Sequence, residues 1–239
     1  IPTLTYLLNH KAKTALILVP TRELAGQIDK FWKELTQFCP EVTSTVITGA
    51  VPMATQLKRM ETAPRLIIAT PGRLVDHLQL KNFELRTVGV LVLDEADRML
   101  DMGFRAQLDE IARAVPHKRQ TLLFSATWDG DISELAKKVL NHQMVRIAAG
   151  ETSQAASTVG QVLIKTTESG KRDLLLEEIN AERGQVLVFT ATQVKVESIA
   201  NYLEEYGVKV NSIHGGRTQG NRNTALKQFR EGKIKVLIA

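Results

Sequence analysis

Cysteine is almost absent from the 239-residue chain, because Cys39 is the only one. No disulfide can therefore form within the chain, which suits a reducing compartment and leads us to expect a cytoplasmic protein. The histidines show no pair at the spacing of metal ligands, so a Cys/His metal site is not expected. The five histidines are His10, His77, His117, His142 and His214.

Long apolar runs are missing too. No stretch approaches the roughly 20 residues that a helix needs to cross a bilayer, so we expect no membrane association. The start, Ile1-Pro2-Thr3-Leu4, lacks a methionine and the basic-then-apolar pattern of a signal peptide, and it resembles the middle of a longer protein. Single-sign charge is also scarce: the net charge is +5, a mild excess that permits polyanion binding without demonstrating it.

Apolar strand patterns alternate with helical patterns along the chain, which predicts an α/β protein with parallel sheets. One series occupies residues 1–149 and a second occupies 161–239, separated by a linker at 150–160 that is rich in Ala, Ser, Thr and Gly. We therefore predict two similar domains with ligands at the carboxyl ends of their strands. The predicted strands are 14–19, 42–48, 65–69, 88–93, 120–124, 145–147, 161–165, 185–189, 208–213 and 235–238.

An acidic cluster follows the most apolar of these strands. Val90–Leu93 leads directly into Asp94-Glu95-Ala96-Asp97, which is the Walker B arrangement. Asp94 is then expected to hold Mg²⁺ through water, and Glu95 to orient and deprotonate an attacking water. An ordinary polar turn before a helix explains the same letters equally well.

Hydroxyl side chains follow the strand at 120–124. Ser125 and Thr127 are placed to hydrogen-bond a neighbouring carboxylate such as Asp97. Such contacts would link a nucleotide site to a second event, whereas a simple Ser/Thr turn is the alternative.

Two further strand ends combine a helix start with an arginine. These are Pro20-Thr21-Arg22-Glu23-Leu24 and Thr70-Pro71-Gly72-Arg73. Helix starts offer free N–H groups and a positive dipole end, and arginine adds a fork that fits phosphate. Plain helix capping accounts for either segment alone, but two such segments favour a phosphate backbone.

Taken together, these motifs resemble the DEAD-box family of ATP-dependent RNA helicases over essentially the whole chain. The first half has the family's order of motifs, from Pro20–Leu24 through Gly49 and Thr70–Arg73 to Asp94–Asp97 and Ser125–Thr127. The second half adds Val186–Thr192, His214-Gly215 and Gln219–Arg222.

The resemblance implies two tandem RecA-like domains, both truncated, together with ATP and Mg²⁺ as cofactors. Asp94 and Glu95 would be catalytic and face the nucleotide, and Asp97, Ser125 and Thr127 would couple nucleotide state to RNA. RNA would be held through its backbone, largely independently of sequence. The implied RNA contacts are Thr21, Arg22, Gly49, Thr70, Gly72, Arg73, Thr192, Gly215, Gln219 and Arg222.

The sequence departs from the family in identifiable places. The family's double glycine is Gly49-Ala50 here, and Gly216 replaces a frequent aspartate. No G-x-x-x-x-G-K-S/T phosphate loop occurs; the resemblance implies that it lies before Ile1, and that an arginine-rich motif follows Ala239.

Three functions stay open. The first is an ATP-dependent RNA helicase in the intact protein, with these 239 residues inactive by themselves. The second is an RNA-binding or interaction segment without ATP turnover. The third is a DNA helicase or translocase of the same superfamily, which the D-E-A-D and Pro-Thr-Arg-Glu-Leu spellings disfavour.

Overall fold

The computed structural model describes residues 1–140, 143–148 and 159–239. The chain divides into two compact units, Ile1–Ser157 and Thr158–Ala239, each built around a parallel sheet. Most of the predicted linker at 150–160 lies outside the described residues. Within the described part of the chain, no helix is long and apolar enough to cross a membrane.

The first unit contains a five-stranded parallel sheet with strand order β2-β3-β1-β4-β5. Its strands are β1 (Thr14–Leu18), β2 (Ser44–Ile47), β3 (Leu66–Ala69), β4 (Val88–Leu93) and β5 (Gln120–Leu123). Its helices are α1 (Pro2–Asn9), α2 (Arg22–Leu35), α3 (Met53–Met60), α4 (Pro71–Gln79), α5 (Ala96–Asp101), α6 (Arg105–Ala114) and α7 (Gly130–Val139).

Helices cover both faces of this sheet, as the continuous apolar strands predict. All six residues of β4 are buried. Leu91 and Leu93 join a core with helices α4 to α7, whereas Val90 and Val92 join a second core with α1 and α2. This alternation between the two cores follows from the period of two in a strand.

The second unit contains a three-stranded parallel sheet with strand order β6-β8-β7. Its strands are β6 (Val186–Val188), β7 (Val210–Ser212) and β8 (Val236–Ile238), and its helices are α8 (Lys171–Ala181), α9 (Gln193–Glu205) and α10 (Gln219–Arg230). Val236 and Ile238 pack toward α8 and α9, while Leu237 packs toward Ala225 of α10.

Two predicted strands are absent. Residues 143–148 form no regular element and do not pair with β5. Together with β5 they line a cavity of about 550 Å³. Residues 161–165 also lack strand structure, and Val162 and Leu163 are 85% and 91% exposed. An apolar run becomes a strand only when a partner edge satisfies its backbone groups, and neither segment has one among the described residues.

Candidate functional site

The predicted motifs of the first unit meet along one edge of its sheet. Parallel strands present their carboxyl ends on the same side, with neighbours about 4.8 Å apart. In sheet order, these ends lead into Gly49 after β2, Thr70 after β3, Thr21 after β1, Asp94 after β4 and Ser125 after β5. The residues implied to contact RNA thus follow β2, β3 and β1, and the carboxylates and hydroxyls follow β4 and β5.

The end of β4 is fixed by backbone contacts. The Asp94 N–H donates to the Leu18 carbonyl at 3.0 Å, and Asp94 Oδ1 accepts a hydrogen bond from the Glu95 N–H at 3.1 Å. Glu95 has left-handed backbone angles of φ 51° and ψ 52°. A non-glycine residue in that region costs about 1–3 kcal/mol, and such strain concentrates at functional sites.

The Glu95 carboxylate is partly exposed and lies close to the guanidinium of Arg98. Arg98 Nη1 lies 3.4 Å from Glu95 Oε2, and both side chains remain substantially exposed, so this contact is weak. Glu95 can therefore exchange the arginine for another partner.

Asp97 receives hydrogen bonds from the β5 turn. Its Oδ2 accepts from the N–H of Ala126 at 3.0 Å, from the N–H of Thr127 at 2.9 Å and from Thr127 Oγ1 at 3.2 Å. Oδ1 accepts from the N–H of Arg98 at 2.9 Å. The predicted contact between Asp97 and the Ser125–Thr127 turn therefore forms, mostly through backbone amides.

The charge of Asp97 is stabilised by these contacts. Partial burial would raise the pKa of Asp97, but the hydrogen bonds from Thr127 and Arg98 outweigh it and lower the pKa below its ordinary value. The buried Ser125 hydroxyl adds a smaller lowering effect, although its contact falls outside normal hydrogen-bond geometry. Asp97 is thus an ionised link between the start of α5 and the turn that follows β5.

The carboxylates suit a magnesium ion that is held largely by other ligands. Within the described residues, no group of three or more His, Cys, Asp or Glu side chains could enclose a metal. Mg²⁺ in nucleotide sites typically uses one or two carboxylates together with water and substrate phosphates. Asp94 fits that role, since among the described residues its carboxylate accepts a hydrogen bond at Oδ1, from the Glu95 amide, and Oδ2 has no such partner.

Arg22 and Gly49 lie against each other although they belong to different motifs. A Cβ built on Gly49 would lie 2.8 Å from Arg22 Nη2, so any side chain at residue 49 would displace the guanidinium from this position. Thr21 begins α2 as predicted, because its hydroxyl accepts a hydrogen bond from the Leu24 N–H at 3.2 Å. The guanidinium of Arg22 is therefore placed over the Gly49 backbone.

The Thr70–Arg73 segment behaves only partly as predicted. Thr70 occupies the N-cap position of α4 and Pro71 is the first helical residue, but the Thr70 side chain makes no cap hydrogen bond. The Arg73 side chain is 21% exposed, and its Nη1 lies 3.9 Å from Asp76. The cationic group is therefore close to α4 and loosely paired.

In the second unit, the implied RNA contacts also lie near strand ends and helix starts. Thr192 caps α9 by accepting a hydrogen bond from the Lys195 N–H at 3.2 Å. The next residue, Gln193, approaches Gly215, because its Nε2 would lie 3.3 Å from a Cβ there. Gln219 and Arg222 occupy the start of α10.

Sequence reasoning missed two polar networks that support these loops. In the first unit, the fully buried Gln56 and His77 are hydrogen-bonded to each other. In the second unit, Glu197 of α9 accepts from His214 Nε2 at 2.6 Å and from Arg217 Nε at 3.1 Å. No sequence motif marks any of these contacts.

Comparison with known proteins gives consistent results. Residues 1–135 match the DEAD/DEAH box helicase family, and residues 170–239 match the helicase conserved C-terminal domain. The ATP-dependent RNA helicase DBP2 of Vanderwaltozyma polyspora is 37% identical over 231 residues, covering 94% of this chain and 52% of the relative. The ATP-dependent RNA helicase DbpA of Escherichia coli is 37% identical over 227 residues, covering 94% and 49%.

Solved helicase structures share the fold. Dbp5 of S. cerevisiae bound to RNA and ADP BeF3 aligns with a TM-score of 0.77 at 29% identity, covering 99% of this chain and 60% of that one. Mss116 bound to ssRNA and UDP-BeF aligns with a TM-score of 0.86 at 26% identity, covering 99% and 53%.

The chain spans about half the length of the two curated relatives, DBP2 and DbpA. The family match covers more than half of the chain, and the sheets and motif order agree with it. The chain therefore belongs to the DEAD-box family of helicases and has the RecA-like fold of that family.

Proposed function

We propose that the full-length protein is an ATP-dependent RNA helicase, which hydrolyses ATP in an RNA-stimulated manner and locally unwinds RNA duplexes. One observation carries the proposal: Asp94, Glu95 and Asp97 share a single sheet edge with the Arg22–Gly49 pair. The proposed site for ATP hydrolysis and the proposed site for the RNA phosphate backbone thus lie at the same edge of one sheet. The names of the matched relatives support the same activity.

In the proposed reaction, Glu95 accepts the proton of the attacking water. Asp94 would hold a magnesium ion through water, and the ion would supply positive charge for the phosphates of ATP. Asp97 and the Ser125–Thr127 turn transmit the state of this site across the edge. These assignments rest on the positions of the side chains at the ends of β4 and β5.

RNA binding is proposed to use backbone phosphates and sugars. In the first unit, Thr21, Arg22 and Gly49 form one group, and Thr70, Gly72 and Arg73 form the next. The second unit contributes Thr192, Gly215, Gln219 and Arg222. Hydrogen bonds to phosphate carry no sequence information directly, so binding is expected to be largely sequence-independent.

Replacing Arg22 or Arg73 with alanine in the full-length protein is expected to weaken RNA binding about equally for unrelated sequences. Each arginine is proposed to neutralise one phosphate, so the slope of log affinity against log salt should flatten by about 0.7 for single strands. Fluorescence anisotropy over a salt series measures both quantities.

Arg86→Ala is the matched control, because Arg86 is exposed, pairs with Glu84 and precedes β4 at the opposite edge of the sheet. It should leave RNA affinity and the salt slope unchanged. A loss restricted to one RNA sequence in the Arg22 or Arg73 variant would instead indicate base readout.

The 239 residues by themselves are proposed to bind RNA without turning over ATP. Their sequence contains no G-x-x-x-x-G-K-S/T loop, which cradles phosphates in this class of enzyme. Calorimetric titration of this chain with magnesium and ATP is expected to give no saturable heat, while the full-length protein should bind. Micromolar affinity of the isolated chain would contradict the expectation.

Two further assignments also remain proposals. We propose a cytoplasmic location. We also propose domains at 1–149 and 161–239, joined by a linker at 150–160.

A further inference from the structure

A buried glutamine brackets the turn that follows β2. Gln56, on α3, is fully buried, and its Nε2 donates to the Thr48 carbonyl at 2.6 Å and to the Val51 carbonyl at 3.3 Å. These carbonyls belong to the residues immediately before and after Gly49-Ala50. One side-chain amide therefore grips both ends of that turn.

The same amide continues into a chain of hydrogen bonds. Gln56 Oε1 lies 2.7 Å from His77 Nε2, and His77 Nδ1 lies 2.9 Å from Asn82 Nδ2. Since Gln56 Oε1 can only accept, the proton of His77 belongs on Nε2, and Nδ1 accepts from Asn82. Each of these groups is satisfied when His77 is neutral.

The environment of His77 keeps it neutral. Burial lowers the pKa of His77 and the nearby charge of Arg73 lowers it further, while Asp76 partly opposes them. The groups reaching it from other elements, Gln56 and Phe83, carry no charge. The network therefore has one defined hydrogen-bond arrangement near neutral pH.

The turn that Gln56 grips is strained. Ala50 has a φ of +64°, a left-handed conformation that glycine adopts easily and alanine does not. The family's second glycine would meet no such penalty at this position. In this chain, something must hold Ala50 there, and the two carbonyls bound by Gln56 flank it.

We propose that Gln56 is a positioning residue for RNA binding: it holds the Gly49-Ala50 turn in its left-handed form and, through His77, fixes that turn relative to the helix that carries Arg73. The inference rests on the proposed RNA-binding function of Gly49 and Arg73. His77 lies on α4, four residues after Arg73, so the network joins two elements that are proposed to contact successive parts of one RNA backbone. Filling space alone would require no polar atoms here, and unsatisfied buried amides are costly.

The test uses the full-length protein and a labelled oligouridylate, with a non-hydrolysable ATP analogue present. Gln56→Met keeps the side-chain length but removes the donor and acceptor. We expect it to weaken RNA binding by about tenfold, the scale set by left-handed strain in an L-residue. Its affinity for the ATP analogue, which reports an intact first unit, should stay within about twofold.

A second substitution at residue 50 tests whether Gln56 positions the turn or only fills space in the core. Adding Ala50→Gly to Gln56→Met is expected to recover most of the lost RNA affinity, because glycine adopts the left-handed turn without support. Ala50→Gly alone should change RNA binding by less than about twofold. A purely structural role for Gln56 would not respond to a change of residue 50.

The outcomes are distinguishable. If Arg22→Ala and Arg73→Ala leave RNA binding intact, the proposed function fails. If they weaken binding but Gln56→Met does not, or if Ala50→Gly brings no recovery, only the positioning role is overturned. If Gln56→Met also loses the ATP analogue, and adding Ala50→Gly restores neither the analogue nor RNA, Gln56 is a folding residue and the proposal is overturned.

Discussion

Substituting Glu95 with glutamine in the full-length protein is expected to lower the kcat of ATP hydrolysis by about 10²–10⁴-fold, the usual contribution of a general base. The amide keeps the shape of the side chain but cannot take the proton of the attacking water. Glutamine should also tolerate the left-handed backbone at residue 95 as well as glutamate does. ATP and RNA affinities are therefore expected to stay within about twofold of wild type, since neither depends on proton transfer.

Steady-state turnover at saturating RNA and ATP measures the loss, and binding titrations test whether both ligands are retained. Glu34→Gln provides the matched control, because Glu34 lies on the surface of α2 with its side chain 64% exposed. It should turn over like wild type. Glu95 is not the base if its glutamine variant keeps turnover within a few-fold of wild type.

Local signals made most of the fold predictable. The predicted strand at 88–93 has the bounds seen in the structure, because this stretch of sequence is almost continuously apolar. Gly207 follows α9 with a φ of +75°, the left-handed conformation in which a glycine commonly ends a helix.

The two strands that failed to form show where local signals end. Val145 and Ile147 are apolar and β-branched, yet they are 84% and 88% exposed. Strand structure depends on an edge that offers hydrogen bonds in register, and such an edge comes from distant sequence. The same limit explains the error at 161–165.

The sheet topology was enough to predict which motifs of the site lie together. Motifs at the ends of parallel strands must share one edge, so the gathering of Thr21, Gly49, Thr70 and Asp94 follows from strand order. Strand order does not predict the side-chain contacts between different helices and loops. The bond between Gln56 and His77 joins residues 21 positions apart, and no spacing rule indicates it.

Each unit uses a helix-borne polar side chain to support a glycine-containing loop. Gln56 of α3 supports Gly49-Ala50, and Glu197 of α9 holds His214 and Arg217 on either side of Gly215-Gly216. Hydrogen bonding from His214 lowers the pKa of Glu197 against the opposing effect of burial, and Arg217 lowers it further. The first support is neutral and the second ionised, so the two units reach a similar arrangement through different chemistry.

Replacing Asp97 with alanine in the full-length protein is expected to reduce the ratio of RNA-stimulated to basal turnover by about 5- to 150-fold, the range of a coupling free energy of 1–3 kcal/mol. The carboxylate accepts three hydrogen bonds from the turn after β5. Alanine removes all of them, so the Ala126–Thr127 turn is no longer tied to α5, although the backbone bonds between β4 and β5 remain. Asp101→Ala is the control, because Asp101 is an exposed aspartate on the same helix.

Thr127→Val separates the contributions within this bridge. It removes only the hydroxyl contact at 3.2 Å and keeps both backbone donors, so it should lose less coupling than Asp97→Ala.

Acidification, by protonating Asp97, should weaken the same contacts that the alanine variant removes. The pKa of Asp97 in the folded protein lies below its ordinary value of 3.8. The ionised carboxylate therefore stabilises the folded state fully above pH 3.8, and this contribution is lost as the pH falls through the folded-state pKa. If Asp97→Ala keeps normal RNA stimulation, the contact is only a helix-to-turn brace, and coupling must pass through another part of the sheet edge.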